Sequence, residues 1–237
     1  MEQSSSLWHL DDIDLSSIFR QAKASAPKHQ AYIVEQFRKN DYIYLPKDES
    51  SKIYFLEEGR VKIGMFNDAG REITKAILGK GEIFGEFALI GEERRRDFAQ
   101  ALEDVTVCIL DRDELRSLLR DHNALSLFFM KIFGSRMLEV EQRLESLIFK
   151  DSRSRIIEFL HQFARKRGQP VGFEMLVRQF LTHQEIANLT ATSRQSVNAV
   201  LNDLRDKNIL TFNRKRLLVR DMERLAKEIS HPDRSGV

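Results

Sequence analysis

Cysteine is almost missing from this chain: Cys108 is the only one in 237 residues. A single thiol closes no disulfide within the chain, and it builds no zinc finger and no cysteine-ligated iron–sulfur cluster. Long apolar runs are missing too. The longest, Ala124 to Met130, is interrupted by Ser126 and closed by Lys131, far short of the roughly 20 residues that span a bilayer. The opening Met1-Glu-Gln-Ser-Ser-Ser has no basic region followed by an apolar run, so no secretory signal and no membrane contact are expected. There is no zinc-protease helix motif, phosphate loop, nucleophile elbow or dinucleotide fingerprint, and an enzyme is not expected. His29, His122 and His161 form no ligand motif. They read as surface or structural histidines, with no metal or haem site.

A strong charge of one sign is also lacking, since the formal net charge is +2. That balance hides an asymmetry. From Asp151 onward there are 16 Lys and Arg against 10 Asp and Glu, whereas the preceding part has 22 against 26. The C-terminal part is the one suited to a polyanion.

Hydrophobic residues make up 42% of the chain, enough for real cores, and the length favours two domains. From about Ile33 to Asp111 the sequence reads as short strands. These are Tyr42–Leu45, Lys52–Leu56, Arg60–Phe66, Glu72–Leu78 and Val105–Leu110, separated by turn signals at Pro46, Gly59, Gly70, Gly79–Gly81 and Gly91. Such spacing predicts an antiparallel β-barrel or jelly roll. From about Arg112 the period becomes helical, with a short helix near Asp113–Leu119 and a long one over about Asn123–Phe149. In the long helix Met130, Phe133, Met137, Val140, Leu144 and Leu147 alternate three- and four-residue steps. That is a coiled-coil seam and predicts pairing with a second copy. Phe128, Phe129, Ile132 and Ile148 lie off the seam and are expected to pack on the barrel. Asp151-Ser-Arg-Ser reads as a hinge. A helix over Arg153–Lys166 follows, with Ile156, Ile157, Leu160 and Phe163 inward, and then a basic turn, Arg165–Pro170. The expected organisation is an α+β chain: residues 1–121 an N-terminal segment and β domain, 122–150 a dimerisation helix, and 151–237 a DNA-binding domain.

Thr182–Arg205 carries the most chemistry. Thr182 and Glu185 have capping-box spacing, and Ser193 suits a second cap. Two short helices joined by a tight turn result, with Ile186, Leu189, Val197, Val200, Leu201 and Leu204 buried. The register puts Arg194 and Gln195 in the first turn of the second helix, where a recognition helix meets base edges. Arg can bond guanine at two points and Gln can do the same with adenine. Asn198 suits a base or a phosphate. Ser193, Ser196, Arg205 and the residues Arg214, Lys215 and Arg216 of a hairpin over Asn208–Arg220 suit phosphates. Thr182 joins them as a candidate DNA contact, and a final helix is expected over Asp221–Ile229.

Strands, long seam helix and winged helix-turn-helix, in this order, resemble the cyclic-AMP receptor/Fnr superfamily of bacterial transcription regulators. The resemblance runs from about Ile33 to Arg220. Its most specific pieces are Ile53–Ile63, Gly81–Leu89, Thr182–Ala187 and Thr192–Val197. It implies a cyclic-nucleotide-binding-like sensor domain and a homodimer in the bacterial cytoplasm. It also implies palindromic double-stranded promoter DNA and RNA polymerase as partners. The basic Arg165–Arg167 could touch polymerase or DNA, or be a solvated loop.

The resemblance places an effector at Gly85, Glu86, Phe87 and Ala88. Glu86 would hold a ribose, and Arg96, or else Arg95, a phosphate. Asp97 stands where a small residue follows that arginine, and a carboxylate there could neutralise Arg96. Val140 and Glu141 replace the base-contacting hydroxyl pair on the long helix. These departures disfavour cyclic AMP and leave two readings: another small effector, or a regulator without a ligand. A ligand-binding module that reads no DNA sequence is the remaining alternative, against which Arg194 and Gln195 argue. Gln195 and Ala199 stand where cyclic-AMP-receptor-like members have Glu and a second Arg, and Ala191 where many have Gly.

Overall fold

The computed structural model describes residues 32–229 apart from 69, 71 and 122. His29, His122, the N-terminal part of the 1–121 domain and the last eight residues lie outside the described set. The chain divides into two compact units, one ending at Met137 and the other beginning at Leu138.

The first unit contains two four-stranded antiparallel sheets. One has the order β1 (Ile33–Phe37), β8 (Val105–Asp111), β3 (Lys52–Glu58), β6 (Ile83–Phe84). The other runs β2 (Tyr42–Tyr44), β7 (Phe98–Ala101), β4 (Val61–Phe66), β5 (Glu72–Leu78). Of the two expected forms, barrel or jelly roll, the sheets take the jelly-roll-like one and do not close into a barrel. Each sheet keeps two edges, and the edge strands β6 and β2 have only two and three residues, too short to carry a closing ladder.

β3 and β8 are buried on both faces, and the two-residue period of a strand sorts their side chains. Ile53, Phe55, Cys108 and Leu110 join one core, with Leu115, Leu125, Phe129 and Ile132 from the following helices. Tyr54, Leu56, Val107 and Ile109 join the other, with Tyr44, Val61, Ile63, Phe84 and Ala101. Burying a side chain of this size contributes about 1.5–3 kcal/mol. Burial also pushes the Cys108 thiol up to about 12, so it serves as an inert core residue.

Helix α1 (Arg112–Asp121) leads into α2 (Asn123–Phe149), 27 residues long. Phe129 and Ile132 are buried, and Phe128 packs partly against the same core. Ile148 belongs to the second unit and is 64% exposed. The seam residues Met130, Met137, Val140, Leu144 and Leu147 are exposed too, while Phe133 is half-buried.

In the second unit α3 (Ser152–Arg167) starts where Asp151 accepts the Ser154 N–H at 2.7 Å. Ile156, Ile157, Leu160 and Ala164 are buried. Phe163, expected inward, is half-buried and stacks on Phe159 instead. Arg165, Lys166 and Arg167 form no turn; they end α3, where cations complement the helix dipole. Beyond them lie two strands that the sequence reading did not foresee, β9 (Gln169–Val171) and β10 (Glu174–Arg178). With β11 (Leu210–Phe212) and β12 (Arg216–Val219) they form a sheet ordered β11-β12-β10-β9. Helices α4 (His183–Thr190), α5 (Arg194–Asp206) and α6 (Met222–Lys227) complete the unit. Among the described residues no helix is long and apolar enough to cross a membrane.

Candidate functional site

The predicted capping box is complete. Thr182 Oγ1 accepts the Glu185 N–H at 3.2 Å, and Glu185 Oε2 accepts the Thr182 N–H at 2.6 Å. Ser193 caps α5 by accepting the Ser196 N–H at 3.0 Å. Between the helices Ala191 adopts a left-handed conformation at φ 51°. Ile186, Val197, Val200, Leu201 and Leu204 are buried as expected. Leu189 is only half-buried, and Ala187 takes its place in the core.

The opposite face of α5 presents Arg194, Gln195 and Asn198, all exposed. No hydrogen bond or ion pair joins these three side chains to another described residue. The Ser193 and Ser196 hydroxyls bond each other at 2.9 Å. Arg205 sits 5.6 Å over the Phe212 ring and 3.8 Å from Asp206, so part of its work is internal. At the hairpin tip Asn213 Oδ1 accepts the N–H groups of Lys215 and Arg216 at 2.8 and 3.0 Å. That turn leaves the side chains of Arg214, Lys215 and Arg216 exposed. His183, absent from the expected contacts, begins α4 near Phe212. Its pKa is lowered by burial and then by Arg194, which favours the neutral ring.

The second candidate site surrounds Gly85. This glycine holds φ 77° at the start of the 3-10 helix Glu86–Ile90. A Cβ there would meet Arg95 Nη1 at 2.8 Å and the Lys52 carbonyl at 2.9 Å. Arg95 is 4% exposed. It donates to the Gly85 carbonyl at 3.0 Å and to the Lys52 carbonyl, and lies 4.4 Å from the Tyr44 ring and 5.6 Å from that of Tyr54. Its Nε is buried without a partner among the described residues. Burial, then the nearby Asp97, raises the Tyr44 phenol well above its ordinary 10.0.

Arg96 points elsewhere: its side chain is 71% exposed and pairs with Glu92. Of the two arginines considered for an anion, the one that reaches Gly85 is Arg95. Asp97 does not neutralise Arg96. It is buried, 2.7 Å from Lys75 Nζ and 3.4 Å from the Tyr44 hydroxyl. Glu86 is buried and already paired with Arg136 of α2, which also donates to the Ile83 carbonyl. Phe87 is 37% exposed, with Lys75 over its ring, and Ala88 is buried. Val140 and Glu141 are exposed residues of the second unit. Among the described residues no cluster of His, Cys, Asp and Glu could hold a metal ion.

Residues 34–122 match the cyclic nucleotide-binding domain, and residues 154–228 match the Crp-like helix-turn-helix domain. The CRP-like cAMP-activated global transcriptional regulator of Mycobacterium tuberculosis is 30% identical over 191 residues, covering 81% of this chain and 85% of the relative. The chain belongs to the Crp/Fnr family of transcription regulators. The global nitrogen regulator of Nostoc sp. is 29% identical over 221 residues, 92% of this chain and 98% of that protein. Among solved structures, a CooA mutant from Carboxydothermus hydrogenoformans superposes with a TM-score of 0.75 at 28% identity, covering 93% of this chain and 94% of that one.

This Crp/Fnr regulator thus carries a helix-turn-helix DNA-binding domain beside a domain of the effector-binding type, and its relatives are regulators, not enzymes. Several of its arginines escaped the sequence reading. Arg136 and Arg143 are seven residues apart and share one heptad position beside the seam. Charged residues at such flanking positions were the available signal.

Proposed function

We propose that the protein is a homodimer, paired through the seam of α2, which reads a two-fold palindrome with the helix that starts after Ser193. The observation that carries this reading is the exposed apolar stripe on α2. Met130, Met137, Val140 and Leu144 are between 57% and 67% exposed, and a row of this kind along one helix calls for a partner helix. A two-fold dimer also places one reading helix in each half-site. Within a half-site Arg194 takes guanine and Gln195 an adjacent adenine. Ser193, Ser196, Thr182, Arg214, Lys215 and Arg216 position the backbone.

The test is selection of bound duplexes from a random pool, with and without cyclic AMP. A two-fold palindrome supports the dimer, and enrichment of unpaired half-sites overturns it. Gln195→Ala should flatten the preference at one adenine; an unchanged preference there removes Gln195 from base reading.

The effector reading rests on Arg95. A buried guanidinium that has no carboxylate partner and an orphaned Nε among the described residues favours an anionic ligand. The relative from Mycobacterium tuberculosis is named as cAMP-activated. In this chain a nucleotide would have to draw Glu86 away from Arg136 before the carboxylate could hold a ribose. A compact anion on Arg95 needs no such exchange. Thermal shifts of the full chain with cyclic AMP, inorganic phosphate and small carboxylates test this, with Arg95→Met as control. A shift that persists in Arg95→Met overturns the assignment.

A further inference from the structure

The turn of the DNA-reading motif is gripped from outside the motif. The last carbonyls of an α-helix have no donors within the helix. At the end of α4 two arginines supply them. Arg143 of α2 donates Nη2 to the Leu189 carbonyl. Arg155 of α3 donates Nε to the Thr190 carbonyl and Nη2 to the Ala191 carbonyl, both at 3.1 Å. Its Nη1 reaches the Lys150 carbonyl at 2.9 Å, just past the end of α2. One guanidinium therefore bridges the end of the long helix and the turn before the reading helix.

Arg143 occupies the more telling place. It follows the seam residue Val140 by three positions and precedes Leu144 by one, so a second helix packed along the seam runs beside it. It is half-buried, and burial draws its pKa below the ordinary value, with Glu139 acting the other way. A guanidinium remains charged in such a place, and its burial is tolerated when its donors are used. The Leu189 carbonyl that accepts from it belongs to the reading motif itself, whereas Ser146 of the same helix and Lys150 just past its end bond Glu158 of α3.

We infer that Arg143 is a positioning residue that sets the spacing at which two reading helices meet DNA. The inference rests on the homodimeric reading above. Two recognition helices enter successive major grooves when their centres are about 34–36 Å apart. One extra base pair moves a half-site by about 3.4 Å and turns it by about 35°. A protein discriminates against that change only if each reading helix is fixed to the element that carries the two-fold axis. The Arg143 contact supplies such a fixture, directly from seam helix to reading motif.

The experiment titrates the full-length wild type, Arg143→Met, Arg143→Gln and Arg143→Lys with the palindrome selected by the wild type. Versions with a spacer one base pair longer or shorter are titrated in parallel. The wild type should lose at least about tenfold in affinity on each altered spacer, and the Met and Gln variants less than about threefold. The preferred bases within a half-site should stay the same. Arg143→Lys, which keeps a donor, should recover part of the discrimination, an outcome that a merely structural role would not produce. The Gln variant decides the matter if the Met variant does not fold. Full spacer discrimination in the Met or Gln variant overturns the inference and leaves the dimer intact. Selection of no two-fold site by the wild type overturns the dimeric reading, and the inference with it.

Discussion

The two candidate sites differ in how their polar groups are occupied. Around Gly85 the protein already answers most of its own charges: Glu86 is paired with Arg136, Asp97 with Lys75, and Arg95 with two carbonyls. On α5, Arg194, Gln195 and Asn198 meet no such partner among the described residues. One region is prepared to accept a ligand at once. In the other, a nucleotide would have to exchange the internal contact of Glu86 with Arg136 for an external one. A ligand shifts an equilibrium only through its different affinity for two states, and such an exchange is one source of that difference.

The largest effect is expected where nothing internal compensates. Arg194→Ala should cost about 1–3 kcal/mol in each half-site, so a dimer should bind its palindrome about thirtyfold less tightly or worse. Titration of the selected site and of a guanine-substituted site measures it. Equal discrimination by variant and wild type would break the contrast. At the self-satisfied site, Gly85→Ala should act on stability. Its Cβ would enter the space of Arg95 and Lys52 at a positive φ, at a cost of about 1–3 kcal/mol. A thermal melt should fall, while ligand-free DNA affinity of the folded protein should hold.

A smaller effect belongs to the hinge. Asp151→Ala removes the cap of α3, worth about 1 kcal/mol. The Ser154 N–H holds the Asp151 carboxyl below its ordinary 3.8. The stabilisation is therefore present above that value and is lost as pH falls through the lower, folded one. Denaturation of wild type and variant should differ at pH 7 and converge in strong acid. A gap of constant size would remove the carboxylate from the account. The smallest effect should have the opposite sign. Ala191 sits at φ 51°, where an L-residue costs about 1–2 kcal/mol and glycine is less costly by about half a kcal/mol after its own entropy. Ala191→Gly should raise the melting temperature slightly, and a fall would show that the alanine methyl contributes packing.

The same contrast governs what the sequence could reveal. The reading motif was legible because its determinants are local: Thr182 with Glu185, and Ser193 with Ser196, each lie three residues apart. The effector site depends on contacts such as Arg136 to Glu86 and Tyr44 to Asp97, 50 and 53 residues apart. No pattern along the chain encodes them. The run Arg94-Arg95-Arg96 offered three equivalent charges, and only the fold separates the buried one from its exposed neighbours. β9 and β10 were missed because their residues are largely exposed or half-buried and supply little alternation.

One consequence follows from what Arg143 and Arg155 hold. Their acceptors are main-chain oxygens of Leu189, Thr190 and Ala191, and every amino acid carries that atom. The side chains that meet DNA can therefore be exchanged without loosening the mount beneath them. A lineage can re-address such a regulator to a new operator by changing two or three exposed letters of α5, with the lever arm that carries them inherited intact.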